Sequence, residues 1–383
     1  MRKLFLAPLS WIYGLVVSVR NRLYDAGVKK SVKFDIPIVC VGNITVGGTG
    51  KTPMCELLVE HFSRDYRVAL LSRGYGRRTK GYLEVETNMS YRNTGDEPKQ
   101  IKMKYPDTVV VVCKNRIEGV ERIRREHPEV GLILLDDGFQ YRRLCPKLNM
   151  VMVDYTRPID KDSLLPAGNL RDQRRQMKRA HYVVVTKCPA RMTPLDRRIM
   201  RNRLELLPFQ NLSYTRTVAG APYPAFAAKT GDESDGVNGE GMGGGNGEGM
   251  GGARTVSEYA ITAGGSVVAM AAIGNPTPFV EGLKARYDVV GELLFRDHHP
   301  YTVRDLKKME AVLDGAPAGT VIVTTEKDAV KLGRGTKIPK SLRERIFVLP
   351  VRMGFLEETR EDFLKKLDYD VRTDQKHSFF YSR

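Results

Sequence analysis

The sequence predicts an α/β fold: a doubly wound parallel sheet with helices on both faces, then a smaller α/β second lobe. Three observations carry that expectation. Short apolar runs recur with helical stretches between them. A glycine-rich turn joins the first run to a helix. A glycine-rich break then separates a second, similar set of elements.

The apolar runs are Ile36 to Val41, Val68 to Leu71, Thr108 to Cys113, Leu132 to Leu135, Met150 to Val153 and Tyr182 to Thr186. Their lack of polar alternation is what strands buried on both faces of a parallel sheet show. Strands alternating with helices give a doubly wound arrangement. The core is expected over residues 36–225, with Pro53 to Phe62 as the helix after the first strand.

Residues 1–35 precede the core. Leu4 to Val19 is largely apolar and is flanked by Arg2, Lys3, Arg20 and Arg22. The run is shorter than the ~20 residues a spanning helix needs, and Pro8 interrupts it. It predicts a membrane-associated helix lying in or on a lipid surface, with Trp11 and Tyr13 near the headgroups. A buried helix, and a true span or signal peptide, are the alternatives.

Residues 226–256 form the expected flexible insertion. Their heart is GDESDGVNGEGMGGGNGEGMGG, from Gly231 to Gly252, which has too little apolar surface to fold. A second lobe is expected over residues 257–370, with strands at Val267 to Ile273 and Thr320 to Thr324. Residues 371–383 read as a polar, basic tail.

A chain of 383 residues with 42% hydrophobic content can fill two cores. Its formal net charge of +17 favours anionic partners: nucleic acid, a phosphorylated substrate or an anionic membrane. Runs such as Arg171 to Arg179 could follow nucleic-acid phosphates, but no nucleic-acid-binding signature accompanies them, so no nucleic-acid partner is expected. The five cysteines are scattered and odd in number, which supports neither a disulfide framework nor a zinc site and fits a reducing cytosol.

The sharpest local signal runs from Gly42 to Thr52, GNITVGGTGKT, between a strand and a helix. That is the setting of a P-loop. Glycines let successive N–H groups turn toward phosphate oxygens, and the helix presents its positive end to the same anion. Gly47, Gly48, Thr49, Gly50, Lys51 and Thr52 are the candidate nucleotide contacts. Lys51 would reach the β- and γ-phosphates, and the Thr52 hydroxyl would ligate Mg²⁺. Thr45 stands where the strict pattern has glycine. The strand Leu132 to Leu135 ends in Asp136 and Asp137, an arrangement that places carboxylates beside a P-loop for magnesium.

Beyond the P-loop, an ordered series of motifs resembles the tetraacyldisaccharide 4'-kinase (lipid A 4'-kinase) family. It comprises Gly42-Asn43, GGTGKTP through Pro53, SRGYGR from Ser72, GDEP from Gly95 and DDGFQ from Asp136. LLPAGNLRD from Leu164, IGNP from Ile273, FRDHH from Phe295 and TTEKDAVKL from Thr324 complete it. It covers about residues 1–370 apart from the insertion. The resemblance implies transfer of the γ-phosphate of ATP to the 4'-hydroxyl of a tetraacylated glucosamine disaccharide 1-phosphate lipid, with ATP and Mg²⁺. It also implies a monotopic enzyme on the cytoplasmic face of the inner membrane.

The same resemblance assigns roles. Asp96 would be the base that takes the sugar hydroxyl's proton, and His298 its partner from the second lobe. Without the resemblance, Asp96 reads as a turn residue and both His298 and His299 as structural. Lys51, Thr52, Asp136 and Asp137 would hold ATP and magnesium, and Gln140 would orient groups near the phosphates. Arg116 and Arg171 are candidates for the substrate or the transferred phosphate, since a guanidinium fork pairs with phosphate oxygens and stays charged. Asp172 departs from the glutamate the family carries there. It is one methylene shorter, which leaves direct or water-bridged metal ligation open.

A soluble P-loop GTPase or metallochaperone-type ATPase is the alternative. VVTKCP from Val184 sits where a guanine-reading turn would. It has Pro189 where such a turn needs Asp, and the Cys/His pairs of a metal carrier are absent. Oligomeric state is not legible in the sequence.

Overall fold

β1 (Ile38–Gly42) is buried throughout and lies inside a nine-stranded sheet. In the computed structural model, residues 2–226, 261, 264–332 and 338–373 are described. The other strands of this sheet are β2 (Arg67–Ser72), β3 (Leu83–Glu84), β4 (Val109–Val112), β5 (Val130–Asp136), β6 (Leu148–Asp154), β7 (Tyr182–Thr186), β8 (Asn211–Ala219) and β14 (Val351–Phe355). Their order is β14-β8-β7-β6-β1-β5-β2-β4-β3. The seven strands from β8 to β4 are parallel; β14 and β3 pair antiparallel at the two edges.

The apolar runs explain the layering. On β1, Ile38 and Cys40 face one core while Val39 and Val41 face the other. The first core packs under Val120 and Ile123 of α5 (Arg116–Glu126) and Met200 and Leu204 of α6 (Pro194–Leu204). The second packs under Met54, Leu58 and Phe62 of α2 (Lys51–Phe62) and Phe363 and Leu367 of α11 (Arg360–Arg372). A strand buried on both faces has no polar side to offer, hence the continuous apolar runs. β1 lies between β5 and β6, and the chain passes to opposite sides of it, so its carboxyl end opens at the switch point where such sheets bind ligands.

α1 (Arg2–Asp25) belongs to this first unit. Its exposed large side chains include Phe5, Leu9, Ile12, Val16 and Val19, spaced along one helical face. No helix among the described residues is long and apolar enough to cross a membrane. α3 (Tyr91–Thr94) and α4 (Asp96–Lys104) fill the connection from β3 to β4.

Residues Gly220 to Pro350 form a second unit. Its sheet has the order β11-β10-β12-β13-β9, built from β9 (Tyr223–Pro224), β10 (Ser266–Ala271), β11 (Asp288–Leu294), β12 (Val321–Thr325) and β13 (Ile346–Leu349). Only β9 is antiparallel in it. Its helices among the described residues are α7 (Thr277–Lys284), α8 (Val303–Asp314), α9 (Glu326–Leu332) and α10 (Lys340–Glu344).

Two expected boundaries move. The sequence places residues up to 370 in the second lobe, but the chain returns to the first unit at Val351. There β14 pairs with β8, and α11 meets α2 through an Arg360–Glu60 ion pair of 2.9 Å and the turn after α2 through an Arg372–Asp65 pair of 2.6 Å. The tail expected from residue 371 begins inside α11, whose last residue is Arg372. Gly231 to Gly252 and residues 374–383 lie outside the described residues.

Candidate active site

The glycine turn leaves β1 at Gly42 and enters α2 at Lys51. Gly50, just before the helix, has φ +85°, a left-handed conformation that a side chain strains. A Cβ there would also crowd Met353 and Thr186 at 3.3 Å. Thr45 can replace glycine because it forms part of a β-bridge to Leu170, with Val46 N–H donating to Asn169 O (2.8 Å) and Arg171 N–H to Ile44 O (2.7 Å). The stretch from Leu164 to Asp172 therefore straps the first half of the loop.

The carbonyl side of the loop is held from β7. Thr186 Oγ1 donates to Thr49 O at 3.0 Å, and Lys187 Nζ donates to Gly48 O at 2.6 Å and to Asp154 at 2.7 Å. These are the residues of the TKCP turn, which in sequence suggests guanine reading. In the fold they brace the phosphate loop instead. Fixing its carbonyls leaves its N–H groups to face an anion.

Asp136 ends β5 beside the loop. Ser72 Oγ, at the end of β2, donates to its Oδ2 at 2.9 Å. Asp136 is fully buried, and burial, then the carboxylates of Glu97 and Asp137, push it up to about 7. Asp137 sits at φ +49°, with its N–H donating to Val41 O at 2.9 Å. Gly138 follows because a Cβ there would come within 2.3 Å of Leu135. Burial pushes Asp137 up as well, but the Arg171 hydrogen bonds and the Lys51 charge outweigh it and hold it at about 2.

Arg171 makes a two-pronged contact with Asp137, Nη1 to Oδ2 at 2.9 Å and Nη2 to Oδ1 at 2.7 Å. Nη2 also donates to Asn43 Oδ1. Asn43 in turn donates to Thr49 Oγ1 at 2.8 Å, so one amide joins the arginine to the loop. Lys51 Nζ is 3.6 Å from Asp137 Oδ1. Gln140 Nε2 donates to Asn43 O at 2.6 Å. Arg116 begins α5 and is buried, with its pKa lowered by that burial. Its Nη1 donates to Cys113 O (3.3 Å) and Lys114 O (3.1 Å). The Nε atoms of both Arg116 and Arg171 are buried with no partner. Two guanidinium groups whose charges act on Asp137 beside a loop of N–H groups suit a phosphate site.

The carboxylates suit a hard divalent cation. Mg²⁺ takes one or two carboxylates and completes its shell with phosphate oxygens and water. Asp136 and Asp137 could supply the carboxylates, and Thr52, in the first turn of α2, the hydroxyl. No cluster of three or more His, Cys, Asp or Glu ligands occurs among the described residues. Asp172 does not join this group. It is 1% exposed, and its Oδ1 accepts from Asn21 Nδ2 (2.8 Å) and Gln173 N–H (2.9 Å), while Oδ2 lies 4.0 Å from Arg179. Its carboxylate faces α1, not the Asp136–Asp137 pair.

Asp96 opens α4 after Gly95, whose φ is +92°, so the expected turn is a helix start. Asp96 is buried, and its Oδ1 accepts from Glu97 N–H at 3.1 Å. Glu97, left without a role by sequence, carries a negative charge that helps to raise Asp136.

In the second unit, His298 also has positive φ, +60°. Its N–H donates to Ala272 O at 3.3 Å, and its Nε2 lies 3.4 Å from Lys327 Nζ and 3.7 Å from Asp297. His299 stacks on Phe295 and meets Asp305 at 3.0 Å, supporting the start of α8.

Sequence reasoning assigned no role to Ser72, Asn43 or Glu97. All three lie inside motifs it quoted, but only the fold shows what each side chain touches. Tyr13, expected near headgroups, instead donates to Arg171 O at 2.7 Å.

Comparison with known proteins gives the family. The family model for tetraacyldisaccharide-1-P 4'-kinase matches residues 2–368. A tetraacyldisaccharide 4'-kinase of Phocaeicola vulgatus is 38% identical over 98% of this chain and 97% of its own. One of Bacteroides thetaiotaomicron is 36% identical over 99% and 96%. A crystal structure of LpxK from Aquifex aeolicus in complex with ATP superposes with TM-score 0.68 at 28% identity, covering 97% of this chain and 99% of that one.

Proposed function

This chain belongs to the tetraacyldisaccharide-1-P 4'-kinase family, an ATP-dependent kinase of lipid A biosynthesis, and we propose how its residues carry out the transfer. The reaction moves the γ-phosphate of ATP to the 4'-hydroxyl of a tetraacyldisaccharide 1-phosphate. The soluble GTPase or metallochaperone reading is not favoured: the turn it rested on holds the phosphate loop.

The observation that carries the assignment is the meeting of Lys51, Asp136, Asp137 and Arg171 at the carboxyl end of β1 and β5. Gly47, Gly48, Thr49 and Gly50 present main-chain N–H groups to the triphosphate, and Lys51 neutralises its terminal oxygens. Arg171 and Arg116 supply the guanidinium charge for the phosphoryl group in flight. Mg²⁺, when bound, screens phosphate charge; Thr52, Asp136 and Asp137 would hold it. Gln140 fixes the strand-to-loop turn through Asn43.

Asp96 acts as the base. As the bond from the 4'-oxygen to phosphorus forms and the β–γ anhydride bond breaks, the hydroxyl proton passes to its carboxylate. Asp172 holds structure around Arg171 rather than touching metal.

The acyl substrate resides in a lipid layer, and α1 is the element suited to meet it. Its exposed Phe5, Leu9, Trp11, Ile12 and Val16 form an apolar face, Phe5 and Trp11 being 80% and 73% exposed. We place α1 on the cytoplasmic surface of the inner membrane, peripheral and not spanning. The whole reading is tested by incubating purified protein with Mg-ATP and the disaccharide 1-phosphate lipid. A product with a second phosphate at the 4' position is expected. Turnover of other hydroxyl substrates but not this one would contradict the substrate, and no turnover of any would contradict the enzyme.

A further inference from the structure

We propose that α1 is a positioning element of the kinase site, acting through Tyr13 and Asn21 on the segment that carries Arg171. The proposal rests on the assignment of Arg171 to the transferred phosphate.

α1 has two faces with different jobs. Opposite its exposed apolar face runs a docked stripe of Ser10, Tyr13, Gly14, Val17 and Asn21, at the three- and four-residue spacing of one helical side. Ser10 bonds the far end of the strap: its Oγ donates to Leu164 O at 2.9 Å and accepts from Ala167 N–H at 2.8 Å. Tyr13 and Asn21 bond its active end. The Tyr13 hydroxyl donates to the main-chain oxygen of Arg171, and Asn21 Nδ2 donates to the Asp172 carboxylate. Between them, Arg20 donates to the main-chain oxygen of Gln140.

These contacts fix the arginine from behind. The main chain at residue 171 is tied on one side to the phosphate loop through Ile44 and on the other to α1 through Tyr13. Asp172 is a buried charge, and a buried charge is stable only while its hydrogen-bond partners stay in place. Asn21, itself 1% exposed, is one of those partners. Rotation or withdrawal of α1 would therefore shift the backbone from which the Arg171 fork reaches Asp137. A lipid layer under the outer face of α1 and a correctly aimed arginine on its inner face become one mechanical unit.

The test uses the full chain, with Tyr13→Phe and Asn21→Ala alone and combined with Arg171→Ala. Tyr13→Phe keeps the ring and removes only the donor, so the fold survives; melting curves verify it for each variant. The expected result is a kcat lowered about tenfold by each α1 variant, with KM for ATP within about twofold and unchanged flotation with phosphatidylethanolamine–phosphatidylglycerol vesicles. In the Arg171→Ala background neither variant should lower kcat further, because the residue they position is gone. Ser10→Ala, on the same stripe, should leave kcat unchanged. Losses that multiply with Arg171→Ala, or an equal loss from Ser10→Ala, would overturn the coupling and leave plain helix docking. An Arg171→Ala enzyme with a normal rate would overturn the reading of the arginine itself, and the coupling with it.

Discussion

Arg171 and Asp137 face each other fork to fork, with two N–H···O contacts of 2.9 and 2.7 Å. The pairing keeps Asp137 ionised beside Lys51 and fixes the guanidinium plane at the mouth of the phosphate loop. It is a structural reason for arginine rather than lysine at this position, because an ammonium cannot make both contacts in one plane. Arg171→Lys should therefore keep ATP binding but lower kcat by about tenfold or more. Steady-state kinetics with varied ATP checks this; an unchanged kcat would show that any cation suffices.

Lys51 contributes charge where phosphate oxygens gather. Lys51→Ala should weaken nucleotide binding and reduce kcat/KM by about 100-fold or more. Its side chain also balances Asp136 and Asp137, so the variant should lose stability in the ligand-free state. Isothermal titration with a non-hydrolysable ATP analogue and a melting curve separate the two effects.

Asp136 and Asp137 predict opposite pH responses. The unfolded carboxyl titrates near 3.9. Asp137 is held at about 2 when folded, so its stabilisation is present above ~4 and is lost as pH falls toward 2. Asp136 is raised to about 7, so the folded state binds its proton more tightly than the unfolded chain. Its contribution is present below ~4 and is lost as pH rises through 7. Asp136→Asn should thus melt roughly 2–4 °C above the native protein at pH 8 without nucleotide, with the gain shrinking toward pH 4, while inactivating the enzyme. Calorimetry across pH checks the sign; a variant less stable at pH 8 would contradict the burial argument.

The outer face of α1 should be needed for lipid contact. Exchanging Phe5 and Trp11 for serine removes two of its most exposed large apolar side chains. Binding to phospholipid vesicles should fall about tenfold or more, with the melting midpoint unchanged because neither side chain is buried. Deleting Met1 to Arg20 should abolish vesicle binding. Full binding by either protein would show that another surface meets the lipid.

The parallel strands, the P-loop and the Asp136-Asp137 pair were legible because each has a local pattern: unbroken apolar runs, glycines before Lys51, acids at a strand end. What stayed hidden depends on distant partners. The return of β14 to the first sheet is an antiparallel pairing between Val351 and Ala219, which no local pattern announces. Asn21 is one amide in an apolar helix until Asp172 is seen against it. Thr186 and Lys187 suggested base reading because the phosphate loop they hold lies more than 130 positions away. Asp172 read as a metal ligand by family position, and only its contacts turn it toward α1.

The central claim is that Asp96 accepts the proton of the sugar hydroxyl as the γ-phosphate leaves a nucleotide held at Lys51. Single-turnover transfer from γ-labelled ATP to the disaccharide lipid by Asp96→Ala tests it most directly, with nucleotide affinity measured on the same protein. A transfer rate reduced by about 100-fold or more with nearly native ATP affinity is the predicted result. A native transfer rate would contradict the account.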